Sequence, residues 1–237
     1  EFRAFRAKHP DHIAVTYINC SAEVKALSDV IVTSSNAESI LRQLPDRPIL
    51  FAPDRHLGAY LQRKTGREMT LWPGTCVVHE QFSAVELAAL RRQHPDALVV
   101  AHPECPAAIL EQSDFVGSTT ALLDFVVRSD RRKFIIGTER HIIHQMEKSA
   151  PGKEFYPVPG ADGTCNCSRC PFMELNTLEK LYLAMANGSP SIELEEELRL
   201  AARSGHFDRL MLAPAFPQQG RLAVGGRLQL AGDATLV

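Results

Sequence analysis

An internal repeat constrains the fold of this chain more than any other feature of its sequence. The stretch "CSAEVKALSDVIVTSSNA" aligns with "CPAAILEQSDFVGSTTA" further on, and "PDRH" aligns with "TERH". Several identities at one nearly fixed offset indicate a duplicated unit, because chance matches would not share a register. The pairs that lie 85 residues apart are Cys20 with Cys105, Ser28 with Ser113, Asp29 with Asp114, Arg55 with Arg140 and His56 with His141.

Each copy alternates short strands with helices. The β-branched runs "HIAVTYIN" and "ALVVAHPE" have the length of strands, and the helical stretches "SAEVKALSD" and "PAAILEQSD" follow them. A second strand ("VIVT", "FVG"), a second helix and a third strand ("PILFAP", "KFIIGT") complete each copy. This order predicts an α/β fold of repeated three-layer αβα units with parallel sheets. The predicted segments are units over 1–90 and 91–175, helices over 176–212 and a tail without assigned structure over 213–237.

Composition narrows the classes of partner. The chain carries 26 basic and 28 acidic side chains without a basic stripe, so we expect no nucleic-acid partner. No apolar run approaches the roughly 20 residues of a membrane span, so we expect no membrane partner either. Six cysteines in 237 residues are too few for a disulfide scaffold. They indicate thiols that are free for metal binding or catalysis in a reducing cytoplasm.

Polar residues follow the predicted strands at the edge where parallel sheets bind ligands. A hydroxyl group at a helix N-terminus suits a phosphate or carboxylate, although a plain helix cap is the simpler explanation of each serine taken singly. Their occurrence at equivalent places in two copies favours a site for an anionic small molecule between the units. The candidate residues are Tyr17, Asn19 and Ser34 in the first copy, and His102, Glu104, Ser118 and Thr119 in the second.

The segment "CNCSRCPFM" places three cysteines within six positions. One interpretation is a zinc-stabilised structural or binding module that uses Cys165, Cys167, Cys170 and a histidine. The spacing is poor for a four-ligand zinc knuckle, and this interpretation leaves Cys76 without a role. A metal-free two-lobe enzyme that binds a sugar phosphate explains the Ser/Thr caps but not the cysteines. A non-catalytic binding protein is a third alternative.

Seven motifs together resemble one known family. "YINCSAEVKALSDVIVTSSNA", "APDRHLG", "WPGTCVVHEQF", "HPEC", "SDFVGST", "IIGTER" and "CSRCPFM" occur in the order found in quinolinate synthases, iron–sulfur enzymes also called quinolinate synthetase A. The resemblance runs from about residue 1 to residue 212. It implies two of three α/β domains that are related by pseudo-threefold symmetry. We therefore expect a fragment that lacks the first domain.

The resemblance also implies an activity and a cofactor. Family members are transferases of de novo NAD biosynthesis that condense iminoaspartate (iminosuccinate) with dihydroxyacetone phosphate to quinolinate, with loss of phosphate and water. Their [4Fe–4S] cluster is held by one cysteine from each domain, and the open iron acts as a Lewis acid. L-Aspartate oxidase is the expected supplier of iminoaspartate. Without the first domain, we expect this fragment alone to be inactive.

Residue roles carry over by position. Matching the motifs makes Cys76 and Cys170 the expected cluster ligands. The same match makes Tyr17, His102 and Glu104 the expected catalytic residues. It assigns substrate binding to these three together with Asn19, Ser34, Ser118 and Thr119.

The roles of the remaining cysteines and of His79 are either structural or undecided from the sequence. The repeat alone pairs Cys76 with Cys165, but the family match pairs it with Cys170, and we prefer the family match because insertions follow Gly160. Cys165 and Cys167 are then spare thiols that could form a redox disulfide. We expect Cys20 and Cys105 to be structural thiols. His79 is equally compatible with a bond to substrate or cluster sulfur and with a plain helix face.

Overall fold

The computed structural model describes residues 1–161 and 168–207. The hypotheses about Cys165, Cys167 and the tail over 213–237 concern residues outside these ranges. Within the described part of the chain, no helix has the length and apolar character needed to cross a membrane.

The first unit comprises four helices and four strands. They are α1 (Phe2–Ala7), β1 (Ile13–Tyr17), α2 (Ala22–Ala26), β2 (Val30–Val32), α3 (Ala37–Gln43), β3 (Ile49–Ala52), α4 (Arg55–Thr65) and β4 (Met69–Leu71).

The second unit repeats this order and is followed by two further helices. Its elements are α5 (Ala84–Gln93), β5 (Leu98–Ala101), α6 (Ala107–Leu110), β6 (Phe115–Val116), α7 (Thr119–Arg128), β7 (Lys133–Gly137), α8 (Ile142–Ser149) and β8 (Glu154–Pro157). The later helices are α9 (Leu178–Asn187) and α10 (Glu196–Phe207), and short 3-10 helices span His79–Gln81 and Met173–Leu175.

Two parallel four-stranded sheets confirm the predicted fold class. Their strand orders are β2-β1-β3-β4 and β6-β5-β7-β8. The strand register repeats at the offset read from the sequence, since Ile13 pairs with Ile49 and Leu98 pairs with Phe134. The sequence analysis did not predict the fourth strand of either sheet.

Side-chain details repeat at the same offset. The carboxylate of Asp29 accepts from the backbone N–H of Ala14 at 2.8 Å, and Asp114 accepts from Val99 at 2.7 Å. These matched contacts tie the start of β2 and of β6 to the neighbouring first strand, so the duplication extends from sequence to hydrogen bonding.

Each sheet is buried on both faces, as expected of parallel sheets. In the first unit, α3 and α4 cover one face and α1 and α2 cover the other. In the second, α7 and α8 cover one face, while α5 and α6 pack on the other with Leu87 fully buried. The predicted domain boundary at residue 90 falls inside α5. Helix α10 returns to the first unit and packs against α2 and β2.

A second repeat, at an offset of 94, links the segment 74–93 to the segment 168–187. The two 3-10 helices and the helices α5 and α9 occupy matching positions in these segments. The backbone N–H of Glu80 donates to the carbonyl of Cys76 at 3.0 Å, and Glu174 donates to that of Cys170 at 3.1 Å. Ser83 and Thr177 cap the matching helices with their side chains. Cys76 and Cys170 are therefore structural equivalents.

Candidate active site

The carboxyl ends of β1 and β5 bring residues of both units into one buried cluster. Tyr17 is the last residue of β1, whereas His102 and Glu104 directly follow β5. The Tyr17 hydroxyl group lies beside the carboxylate of Glu104 and the hydroxyl group of Ser34. His102 and Glu104 are 4% and 6% exposed, so their polar groups must find partners within the protein. The side chains predicted as catalytic thus lie together, across the boundary between the two units.

Glu104 is the centre of this cluster. Its Oε2 lies 3.1 Å from His102 Nδ1 and 3.9 Å from His79 Nδ1. Burial by itself would raise the pKa of Glu104, but the hydrogen bond from His102 and the proximity of His79 outweigh it, and the net pKa is lowered. Glu104 is therefore a buried carboxylate that stays ionised at neutral pH.

The contact with Glu104 assigns a tautomer to His102. The backbone N–H of Glu104 also lies 3.4 Å from Nδ1, but this contact is longer and lacks charge. The charge-assisted bond to the carboxylate is the stronger one, so it places the proton on Nδ1. The lone pair of Nε2 is then available to take a proton from a bound molecule.

His79 is a buried histidine with one ring nitrogen unsatisfied. Its Nε2 is 3.1 Å from the hydroxyl oxygen of Thr138, whereas Nδ1 has no hydrogen-bond partner within the described ranges. The ring stacks on that of His102, with centroids 5.2 Å apart. Burial lowers the pKa of His79 to about 4, so the ring is neutral at physiological pH. The sequence left His79 open between two roles, and the structure places it inside the cluster.

Cys76 joins the same cluster. Its Sγ, a ring nitrogen of His79 and a carboxylate oxygen of Glu104 all lie within 4.8 Å of one another. Burial raises the pKa of the Cys76 thiol above its usual value. Cys76 and Cys170 are both partly buried against the hydrophobic cluster that includes Val78, Phe82 and Val99. The two thiols that the motifs single out therefore border one core.

The remaining predicted substrate-binding residues have separate surroundings. Asn19 is exposed beyond β1. The hydroxyl group of Ser118 caps α7 by accepting from the backbone N–H of Ala121 at 3.3 Å, and Thr119 is the first residue of that helix. The alternative that Ser34 is a plain helix cap does not hold, because α3 has Asn36 at its N-cap. The hydroxyl group of Ser34 lies beside that of Tyr17 instead.

Two of the structural expectations about cysteines have a direct outcome. Cys105 is fully buried, and its thiol donates to the carbonyl oxygen of Gly137 at 3.1 Å. Cys20 is partly buried before α2, and burial raises its pKa to about 11. The burial of both side chains fits packed thiols.

Asp54 is a site residue that the sequence analysis missed. This carboxylate is 2% exposed and caps α4, and it also accepts from the backbone N–H of Cys76 at 2.7 Å. Burial raises its pKa, although hydrogen bonds from the backbone N–H groups of Leu57 and Cys76 oppose that shift. The repeat contained a signal for it, since Asp54 falls opposite Glu139, two residues after the third strand of each unit.

Comparison with known proteins shows which family the chain resembles. The family model described as "NadA: Quinolinate synthetase A protein" matches residues 1–211. The chain is 57% identical over 202 residues to a quinolinate synthase of Synechococcus sp.. It is 56% identical over 202 residues to that of Thermosynechococcus vestitus and 55% over 202 residues to that of Chloroherpeton thalassium. Each match covers 85% of this chain and 63% of the relative, so the chain spans less than two thirds of the relatives' length.

Proposed function

The chain belongs to the quinolinate synthetase A family, and from that premise we propose that it supplies two of the three units of a quinolinate synthase. The proposed reaction condenses iminoaspartate with dihydroxyacetone phosphate to quinolinate in NAD biosynthesis, in the cytoplasm. L-Aspartate oxidase is the proposed supplier of iminoaspartate. The observation that carries the proposal is the buried cluster of Tyr17, His102 and Glu104 beside Cys76.

Proton transfer is the proposed task of His102 and Glu104. Condensation and dehydration require a base that removes a proton from carbon and an acid that protonates a leaving oxygen. Glu104 is ionised and orients His102 through Nδ1, which leaves Nε2 as the base. Tyr17 has a pKa raised by burial and by the negative charge of Glu104, so its hydroxyl group stays protonated and can donate a hydrogen bond.

Anion binding is the proposed task of the strand ends. Ser118 and Thr119 begin a ten-residue helix whose first N–H groups have no partners within the helix itself. Such a terminus suits the phosphate of dihydroxyacetone phosphate. In the first unit, Asn19 follows β1 and Ser34 follows β2, and these two residues are the proposed contacts for a dicarboxylate.

The cysteines fit part of an iron–sulfur site. Cysteine thiolates are the usual ligands of such clusters, and Cys76 and Cys170 occupy equivalent loops on one hydrophobic core. These two residues would hold two corners of a [4Fe–4S] cluster, which when bound supplies a Lewis-acidic iron for a substrate oxygen or nitrogen. The unsatisfied Nδ1 of the buried His79 points to a further polar group at this place.

An exposed apolar face supports the view that a third unit completes the site. Val78 and Leu87 are 2% and 0% exposed because they pack into the second sheet. Their equivalents at the offset of 94, Phe172 and Leu181, are 66% and 47% exposed. We infer that α9 packs on a further α/β unit as α5 packs on the second sheet, and that this chain alone is inactive.

A chimera tests the function. Residues 1–211 of this chain would replace the matching segment in the Synechococcus relative, and the product would be reconstituted with iron and sulfide without oxygen. Quinolinate formation by the chimera, with none from the isolated chain, is the expected result. An inactive chimera that folds would contradict the proposal, as would synthesis by the isolated chain.

Analysis of bound metal and sulfide distinguishes the proposed iron–sulfur cluster from a single zinc ion. One zinc per chain without sulfide, lost on His79→Gln, would favour a single-ion site at Cys76, His79 and Glu104 instead.

A further inference from the structure

Two carboxylates that the proposed chemistry does not use hold the backbone of the two candidate ligand cysteines. Asp54 Oδ2 accepts from the N–H of Cys76 at 2.7 Å, and Glu139 Oε1 accepts from the N–H of Cys170 at 3.3 Å. Asp54 and Glu139 are 85 residues apart, and each lies two residues after the third strand of its unit. In both units a carboxylate at the same position therefore accepts a hydrogen bond from the backbone N–H of the candidate ligand cysteine.

A second hydrogen bond runs the opposite way in each unit. The backbone N–H of Arg55 donates to the carbonyl of Gly74 at 2.8 Å, and that of Arg140 donates to the carbonyl of Ser168 at 2.8 Å. In both cases the donor directly follows the carboxylate, and the acceptor lies two residues before the cysteine. Two antiparallel bonds thus join the end of the third strand to each cysteine loop.

Helix capping does not explain the carboxylates. Asp54 caps α4 with Oδ1, which accepts from His56 and Leu57, and it uses the other oxygen for Cys76. In the second unit, Glu139 Oε2 accepts from the N–H of His141 ahead of α8 at 2.9 Å, and Oε1, which also contacts the His141 ring, accepts from the N–H of Cys170. Each carboxylate therefore joins the start of the following helix to the cysteine loop, and the bond to the loop is additional to the bond at the helix start.

We propose that Asp54 and Glu139 are positioning residues that fix Cys76 and Cys170 in the orientation for metal binding. The inference rests on the proposed function, in which these cysteines are ligands. A bond from a backbone N–H to a carboxylate is stronger than a neutral one. Groups that orient the first ligands of a metal set how well a site is preorganised. Each carboxylate keeps its loop fixed against a buried strand, so the thiol does not swing away when no metal is bound.

Thiol reactivity tests the inference without any metal. The whole chain, reduced and metal-free, would be alkylated with iodoacetamide, and the rate at each cysteine would be followed by peptide mass spectrometry. Asp54→Asn is expected to raise the rate at Cys76 about tenfold and to leave Cys170 within about twofold, because one charge-assisted bond is lost. Glu139→Gln is expected to produce the reverse pattern.

The control is Asp114→Asn. This carboxylate also accepts from a backbone N–H, that of Val99, and among the described residues it is bonded to neither cysteine loop. Neither rate is expected to change in it. Unchanged rates in both test variants would overturn the inference, as would equal increases at both cysteines in each variant. If Asp54→Asn does not fold, Glu139→Gln decides alone, since Glu139 is only partly buried whereas Asp54 is 2% exposed.

Iron and sulfide binding by the chimera distinguishes this inference from the proposed function. The crossed pattern means that Asp54→Asn raises the alkylation rate only at Cys76 and Glu139→Gln raises it only at Cys170. This pattern, together with a chimera that binds no iron, would refute the proposed cluster and leave the positioning role standing. A chimera with four irons, together with alkylation rates that neither variant changes, would refute only the positioning role. Iron lost from the Glu139→Gln chimera together with the crossed pattern would support both.

Discussion

His79 should make the stability of the folded chain depend on pH in the mildly acidic range. Its pKa falls from 6.5 to about 4 because the ring is buried. Below pH 6.5 the unfolded chain therefore binds a proton that the folded chain does not bind until about pH 4. The stability contributed by this group is fully present above pH 6.5 and declines as the pH falls towards 4. One pKa unit corresponds to about 1.4 kcal/mol. The effect acts only over the roughly 1.5 pH units between 6.5 and 5, so the stability lost between pH 7.5 and pH 5 is about 2 kcal/mol.

Urea unfolding of the metal-free chain at the two pH values measures this loss. His79→Gln retains a side chain that can bond Thr138 but does not titrate. The variant should lose about 2 kcal/mol less than the wild type between pH 7.5 and pH 5. His144→Gln is the matched control, because His144 is an exposed histidine in α8, and its pH dependence should equal that of the wild type.

Equal pH dependence of the wild type and His79→Gln would refute the reasoning. That result would mean that His79 is protonated within the folded chain above pH 5. It would then carry a positive charge beside Glu104, and the neutral ring assigned to the site would be wrong.

Other predictions concern packing and catalysis. Leu87→Ala should lower the free energy of unfolding by about 2–5 kcal/mol, because Leu87 is fully buried. The equivalent Leu181→Ala should lower it by less than about 0.5 kcal/mol in this chain. Equal losses in urea unfolding would contradict the exposed face of α9. Thr138→Val should cost about 1–3 kcal/mol in the same assay, because it leaves His79 Nε2 without its partner, and a neutral effect would show that the bond is unimportant. In the active chimera, Glu104→Gln should lower quinolinate formation by about 10²–10⁴-fold, with the exposed Glu111→Gln as control. Turnover unchanged by Glu104→Gln would remove this carboxylate from the mechanism.

The sequence predicted the α/β units because their main strands are β-branched runs with helical stretches between them. It missed β4 and β8 for a physical reason. The three residues of "MTL" are too few to show a pattern, and "EFYP" contains a proline and a charge, as sheet edges often do.

The candidate site was predictable in part. Tyr17, His102 and Glu104 were found because strand ends of parallel sheets meet at one edge. The direct contact between Tyr17 and Glu104 could not be derived, since it depends on how two separate sheets face each other. Asp54 was overlooked because a carboxylate at a helix start usually indicates only a cap. The internal repeat alone would have paired Cys76 with Cys165, because insertions change the offset from 85 to 94, and within the sequence only the family match pointed to Cys170.

The measurement that tests the central claim most directly is the iron and sulfide content of the reconstituted chimera. The account predicts four irons and four sulfides per chain, with the cluster lost on Cys76→Ala and on Cys170→Ala and retained on Cys105→Ala. Stoichiometric zinc without sulfide would contradict it, as would a full cluster in Cys170→Ala.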